Sequence, residues 1–239
     1  MSVIFEGAIS VKSALESKYR SVKKIWMDET KKTKDFGYIL AIACKENIEV
    51  ERVSSEVING LASGKTHGGV IAEVSSREYS KISDVTDVDN PFLVLIEGVE
   101  DGYNIGYALR SLYASGCNGV LFSKYVMNDE ALIAKSSAGA SEKMPIVIVE
   151  DTKTVLEHIV SSGIKVICAM RKDAVSMYEA NFNTPVLLAI GGPKRGLSSS
   201  VLDYSNQNIY IPYATDFRNA LNASSAISIL AYEVYRQRD

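Results

Sequence analysis

The sequence predicts an α/β protein: a small α/β domain followed by a larger one built on a parallel sheet. Three observations carry that prediction. Short apolar runs recur at 92–96, 119–122, 145–149, 165–169 and 185–190, with stretches of helical spacing between most of them. Repeated βα units with apolar strands imply a parallel sheet covered on both faces. The stretch 83–91 is acidic and polar and ends in Asn90-Pro91, a turn signal that divides the chain. Finally, 239 residues with 46% hydrophobic and 23% charged content suit an ordinary globular chain of one large or two modest domains. The expected organisation is a first domain over 1–84, a linker over 85–91 and a second domain over 92–239.

In the first domain, residues 5–7 read as a turn feeding a helix whose apolar positions Ala8, Val11 and Leu15 recur at helical spacing. A strand over 22–27, a helix over 38–46, a strand over 49–53 and a short helix over 54–62 follow, with Ser54 or Ser55 as N-cap. A strand over 69–74 closes a compact α/β sandwich. Residues 62–66, Ala-Ser-Gly-Lys-Thr, resemble the end of a phosphate-binding loop. Position 59 is Asn where that loop needs Gly, and Gly60 is out of register, so a nucleotidase reading is rejected.

The second domain continues with a strand at 92–96, a helix at 106–115, a strand at 119–122 and a helix at 129–138. A strand at 145–149 precedes a helix at 152–162 capped by Asp151 or Thr152, and a strand at 165–169. The stretch 184–238 organises the rest. A buried strand (185–190) breaks into the glycine-punctuated loop Gly191-Gly-Pro-Lys-Arg-Gly-Leu-Ser198. A short strand (208–212), a polar loop and an Ala-rich helix from about 221 complete it. Strands that stop at Gly or Pro turns place loops side by side at one sheet edge, where open α/β sheets bind ligands.

Composition narrows the function classes. The net charge of −3 requires any RNA contact to come from a local patch. The stretch 18–34 supplies one candidate, with Lys18, Arg20, Lys23, Lys24, Lys31, Lys32 and Lys34 against Asp28 and Glu29. It reads equally as a solvated face or as a footprint for RNA phosphate. Cys44, Cys117 and Cys168 lack paired spacing, which suits reduced thiols and a cytoplasmic location. No apolar run approaches the ~18–20 residues of a membrane span, and no leader pattern opens the chain. With only His67 and His158 and no cysteine cluster, no metal site is expected.

The loop residues carry a resemblance. Gly191-Gly192…Gly196-Leu-Ser198, then Ile211-Pro212, then Leu221-Asn222 before an Ala/Ser helix resemble the second and third motifs of the SpoU–TrmH class of RNA methyltransferases, in the SPOUT superfamily. Its first motif, an Asn six residues before an Arg on a strand-to-helix turn, matches Asn104 and Arg110. The ordered set spans the second half of the chain. The first half is similar to the L30e-like substrate-binding domain that precedes the catalytic domain in many members, with His67-Gly68-Gly69 where the family has His-Gln-Gly.

The resemblance implies a C-terminal domain with a deep trefoil knot, S-adenosylmethionine as cofactor, RNA as substrate (rRNA ahead of tRNA) and a homodimer formed through the last helix, with Tyr232 and Tyr235 at the contact. By the same carry-over, Ala189, Gly191, Gly192, Ile211, Leu221 and Ser224 form the cofactor site, and Arg110, Asn104 and Asn222 form the catalytic set. A guanidinium barely loses its proton, so Arg110 is expected to orient the ribose 2′-hydroxyl and stabilise developing alkoxide charge. Glycine at 191, 192 and 196 is expected to supply permissive backbone without a Cβ to obstruct a ligand. Three positions depart from the family pattern: Pro193 replaces Glu, Ala220 replaces Ser and Tyr213 replaces Met. The expected activity is ribose 2′-O-methylation of RNA. The alternative is a degenerate member that binds RNA, and the cofactor with it, without methylating. A dinucleotide enzyme is disfavoured because Gly98…Gly102…Gly106 lacks the required glycine spacing.

Overall fold

The computed structural model describes residues 2–123 and 129–239, and the chain divides into two compact units. Among the described residues the first comprises 2–78 and 129–143, and the second 79–123 and 144–239.

In the first unit, β1 (Ser2–Glu6), α1 (Ala8–Leu15), β2 (Val22–Asp28), α2 (Lys34–Lys45), β3 (Glu49–Val53), α3 (Ser55–Leu61) and β4 (Val70–Ser75) follow one another. The four strands form a sheet in the order β1-β4-β2-β3. The pairs β1–β4 and β4–β2 are antiparallel and β2–β3 is parallel. β1 was not legible in the sequence: the turn expected at 5–7 is its end, and Gly7 makes the break into α1 at φ 88°. Phe5, Val11, Ile25, Met27, Ile39 and Val74 close the core. The strand β4 starts from a turn built on His67, whose Nδ1 accepts the Gly69 N–H at 3.1 Å while Nε2 lies 2.8 Å from Asn59 Oδ1. Gly68 and Gly69 take φ 63° and 89°, which only glycine adopts at little cost. In the 62–66 loop the N–H groups of Ser63 and Gly64 donate to the Glu6 carboxylate, a contact that takes the place a phosphate would need.

The helix read at 129–138 appears as α6 (Glu130–Ser136), but it packs within the first unit, where Ala134 joins the core beside Phe5 and Val11. Arg20 explains why. Its buried guanidinium pairs with Glu142 at 2.6 Å and Glu130 at 2.9 Å. No residue in 2–78 supplies those carboxylates, so a pairing of distant sequence decides the boundary. Arg20 is therefore core rather than part of a basic face. Lys23 faces Glu73, and Lys24 pairs with Glu49 and Glu51. Lys18, Lys31, Lys32 and Lys34 remain exposed.

In the second unit the stretch read as a linker is packed. A short helix, α4 (Ser83–Thr86), puts Val85 fully into the core against Gly119, where a Cβ would collide with it. Then come β5 (Phe92–Glu97), α5 (Gly102–Ala114), β6 (Gly119–Ser123), β7 (Ile146–Val149), α7 (Thr152–Ser161), β8 (Lys165–Ala169), β9 (Val175–Ser176), β10 (Val186–Gly191), α8 (Ser199–Leu202), β11 (Gln207–Tyr210) and α9 (Ala223–Arg238). The sheet runs β7-β6-β5-β10-β8-β11-β9 with every pair parallel. Alternation along the strands feeds both faces. Leu93, Leu95, Leu121, Val166, Leu187 and Ala189 face a core with Leu156 and Ile159 of α7 and Val201 of α8. Val94, Ile96, Phe122, Leu188 and Ile190 are buried as well, as are Ile105, Leu109 and Leu112 of α5 and Ile227, Leu230 and Val234 of α9. The helices α5 and α9 pack on each other, and α9 touches β10. Arg238 fastens the end of α9 by donating to the carbonyls of Asn90, Phe182 and Thr184 at 2.7–2.8 Å. Among the described residues no helix is long and apolar enough to cross a membrane.

Candidate active site

The carboxyl ends of β5, β8, β10 and β11 converge with the start of α9, as the break of each strand at a Gly or a polar turn requires. The loop after β10 is pinned to β5. Gly192 N–H donates to the Glu97 carbonyl at 2.7 Å, and the Glu97 carboxylate accepts the Ser198 N–H at 2.7 Å. Gly196 N–H returns to the Gly192 carbonyl at 3.0 Å. A Cβ on Gly192 would overlap the Gly98 carbonyl, and one on Gly191 would overlap the Gly196–Leu197 peptide. Glycine is thus required at 191 and 192 by the approach of backbone to backbone. Only Gly196 of the three has a positive φ, 66°. Glu97 was missed in the sequence. Its position at the end of β5, opposite Gly191, was the available signal.

These loops enclose a cavity of about 290 Å³. Ile190, Gly191, Gly192, Pro193 and Gly196 form one wall, and Ile211, Leu221, Ala223, Ala226 and Leu230 another. Ala169, Met170 and Arg171 at the end of β8, with Tyr210 and Tyr213, complete it. Of the expected cofactor residues, Gly191, Gly192, Ile211 and Leu221 line the cavity. Ala189 does not: it is fully buried, facing the core beneath α7 and α8. Met170, Arg171 and Tyr213 were not anticipated as a group, because only parallel pairing of β8 with β10 and β11 brings Met170 and Arg171 beside the motif loops. Tyr213 Oη accepts the Leu221 N–H at 3.1 Å, tying the polar loop to the cavity wall.

The catalytic candidates sit on two packed helices. Asp101 caps α5 by accepting the Asn104 N–H at 2.8 Å, so α5 starts at Gly102, a turn earlier than the expected 106, and Asn104 lies in its first turn. Asn222 caps α9 by accepting the Ser225 N–H at 2.7 Å. Between the caps, the buried Ser224 hydroxyl lies 3.3 Å from Asn104 Oδ1 and 3.2 Å from Asn222 Oδ1. Ser224 is therefore a bridge between the two asparagines and does not line the cavity. A second bridge, Ser228 to Ser111 at 2.7 Å, holds the helices together further along. Arg110 is exposed, and its side chain makes no hydrogen bond or ion pair among the described residues. It shares the outward stripe of α5 with Tyr103 and Tyr107 at helical spacing, both half exposed. The two cysteines of the second unit offer no competing nucleophile: burial pushes the Cys117 thiol up to about 12 and raises that of Cys168.

The model of the SpoU rRNA methylase family matches residues 91–232. The chain belongs to the SpoU rRNA methylase family. Residues 4–80 match a second model, described as RNA 2′-O ribose methyltransferase substrate binding. Among relatives of this SpoU protein, one from Staphylococcus saprophyticus, named as a TrmH family tRNA/rRNA methyltransferase, is 31% identical over 245 residues, covering 99% of this chain and 96% of its own. The 23S rRNA (guanosine-2′-O-)-methyltransferase RlmB of Shewanella oneidensis is 24% identical over 241 residues, covering 99% and 97%. The fold matches the crystal structure of the SpoU methyltransferase AviRb from Streptomyces viridochromogenes in complex with AdoMet, with a TM-score of 0.84 and 21% identity over 99% of this chain and 90% of that one.

The cavity fits S-adenosylmethionine. Apolar side chains of Ile190, Ile211, Leu221 and Ala226 can cover a flat purine, and the bare backbone at 191 and 192 lets polar groups approach without a Cβ in the way.

Proposed function

We infer that this protein is an S-adenosylmethionine-dependent RNA methyltransferase that modifies a ribose 2′-hydroxyl. The observation that carries the reading is the one cavity lined together by Gly191, Gly192, Ile211 and Leu221, three separate pieces of sequence, beside the Asn104–Ser224–Asn222 seam. When bound, the cofactor supplies a methyl group on a sulfonium centre. The Ser224 bridge fixes Asn104 and Asn222 relative to each other. The Arg110 guanidinium serves as donor and positive charge for the developing 2′-alkoxide.

Finer statements belong to the same proposal. The substrate is rRNA rather than tRNA, a choice supported by the RlmB relatives. The chain acts as a homodimer, supported by Ile229, Tyr232 and Tyr235 standing 37–50% exposed along α9. The three cysteines, none paired with another, support a cytoplasmic setting. The knot implied by the resemblance is supported by a strand order in which the chain leaves β10, runs to β11 beyond β8, and returns as α9 to pack on α5 and β10. A second reading, RNA binding without methylation, is favoured by Pro193, which leaves the loop without its expected carboxylate; the carboxylate bonded to that loop among the described residues is Glu97.

Calorimetric titration with S-adenosylmethionine, followed by methyl transfer to unmodified rRNA, tests the proposal. Arg110→Ala is expected to bind the cofactor and lose transfer by 100-fold or more, about 3 kcal/mol or above. Cofactor binding by the wild type without transfer to any rRNA or tRNA would favour the second reading, and absence of cofactor binding would overturn the first.

A further inference from the structure

A second cavity, of about 460 Å³, opens beside the first and shares Arg171, Tyr210, Ile211 and Tyr213 with it. Its remaining wall is the polar loop 215–218, with Thr215, Asp216, Phe217 and Arg218. We propose that this cavity is a subsite for an unstacked base of the RNA, next to the ribose that is methylated. The proposal rests on the methyltransferase reading and adds a substrate contact at Phe217 and Arg218, which lie outside the cofactor cavity.

The argument starts from the aromatic pair. Tyr213 and Phe217 lie 6.0 Å apart between ring centroids at an interplanar angle of 41°, and Phe217 is 51% exposed. The Arg171 guanidinium stands 4.8 Å over the Tyr213 ring. A planar cation and two rings around one opening make a stacking platform, and every nucleobase has a π-face that such a platform accepts. The platform is held in advance of binding, because the Tyr213 hydroxyl is engaged by the Leu221 N–H and cannot swing away without breaking that bond. Arg171 and Arg218 are exposed and make no ion pair among the described residues, so both charges remain available to phosphate. Position decides between RNA and any other flat or anionic ligand. The cavity adjoins the methyl-donor site, where a ribose must be delivered, and a ribose in that place carries its own and neighbouring bases with it.

The variants that test this are Phe217→Ala, Phe217→Trp and Arg218→Ala. Neither Phe217 nor Arg218 lines the cofactor cavity or belongs to the catalytic seam. Anisotropy of a fluorescein-labelled single-stranded 12-nucleotide RNA measures RNA binding by the full chain, and calorimetry measures S-adenosylmethionine binding separately. Phe217→Ala is expected to weaken RNA about tenfold, within the range for loss of one stacked base, and to leave cofactor affinity within twofold. Phe217→Trp is expected to restore it. Arg218→Ala is expected to flatten the slope of log K against log salt by about 0.7, as for one lost phosphate contact on a single strand. Weakened cofactor binding in Phe217→Ala with unchanged RNA affinity would assign the cavity to the methyl donor and overturn the proposal. Unchanged affinity for both would also overturn it. Failure of the wild type to bind the cofactor would refute the enzymatic reading instead, and the RNA titrations would still decide the subsite. A far-ultraviolet spectrum and thermal melt matching the wild type exclude unfolding as the cause.

Discussion

Replacing Glu142 with Ala should destabilise the first unit more than any single surface change. The Glu142 carboxylate is 1% exposed and accepts from Arg20 Nε at 2.6 Å, Arg20 Nη2 at 3.3 Å and the Ser141 hydroxyl at 3.3 Å. Arg77 Nη1 lies 3.7 Å away. Both guanidinium groups are fully buried, over the rings of Phe5 and Tyr19 at 4.7 and 4.3 Å. Removing the shared carboxylate leaves two buried cations short of a partner, a change that costs about 3–5 kcal/mol. Glu130 and the Ser75 carbonyl, each at 2.9 Å, still hold Arg20, and the Ser141 carbonyl holds Arg77 at 2.7 Å. The lower end, about 3 kcal/mol, is therefore expected. That is a large share of a domain's typical total of about 5–15 kcal/mol, and it lowers the melting transition of this unit by on the order of 10 °C. Scanning calorimetry and urea titration of the full chain measure it. Asp35→Ala, which removes the exposed Lys12–Asp35 pair, serves as control and should cost under about 1 kcal/mol. A loss below about 1 kcal/mol for Glu142→Ala would show that residues 129–143 are not held to the first unit by this network.

Two further outcomes are expected. Hydrogen bonds from Ser55 and Thr30 hold the Asp28 carboxyl at about 2, below its ordinary 3.8. A depressed folded value means the contribution is complete above pH 3.8 and is lost as pH falls through about 2; acid unfolding followed by circular dichroism should show that dependence in the wild type and a weaker one in Asp28→Asn. Gly192→Ala forces a Cβ into the Gly98 carbonyl and must displace the loop pinned to Glu97; calorimetry should show at least tenfold weaker S-adenosylmethionine binding, and wild-type affinity would refute the backbone-contact account.

The sequence by itself determined the class of fold and most of its elements, because those signals are local. The apolar runs that became β5, β6, β7, β8 and β10 are short, uninterrupted and bounded by turn residues, and buried parallel strands must look that way. The motif residues were legible for the same reason: Gly191, Gly192, Ile211 and Leu221 stand in contiguous words, and all four line one cavity. Tertiary structure decided what depends on partners distant in the chain. The helix at Glu130–Ser136 has an ordinary amphipathic pattern, and only the burial of Arg20 with Glu130 and Glu142 assigns it to the first unit. The stretch 85–91 reads as a polar linker, yet Gly119 leaves space that Val85 fills. Ala189 and Ser224 carry no mark in sequence of which way they face. Strand alternation turns Ala189 into the core, and the packing of α5 on α9 turns Ser224 toward Asn104. Arg171 and Tyr213, 42 positions apart, become neighbours only because β8 and β11 pair in parallel register. No local pattern encodes that pairing, since the register of a parallel sheet is set by the packing of its covering helices on both faces.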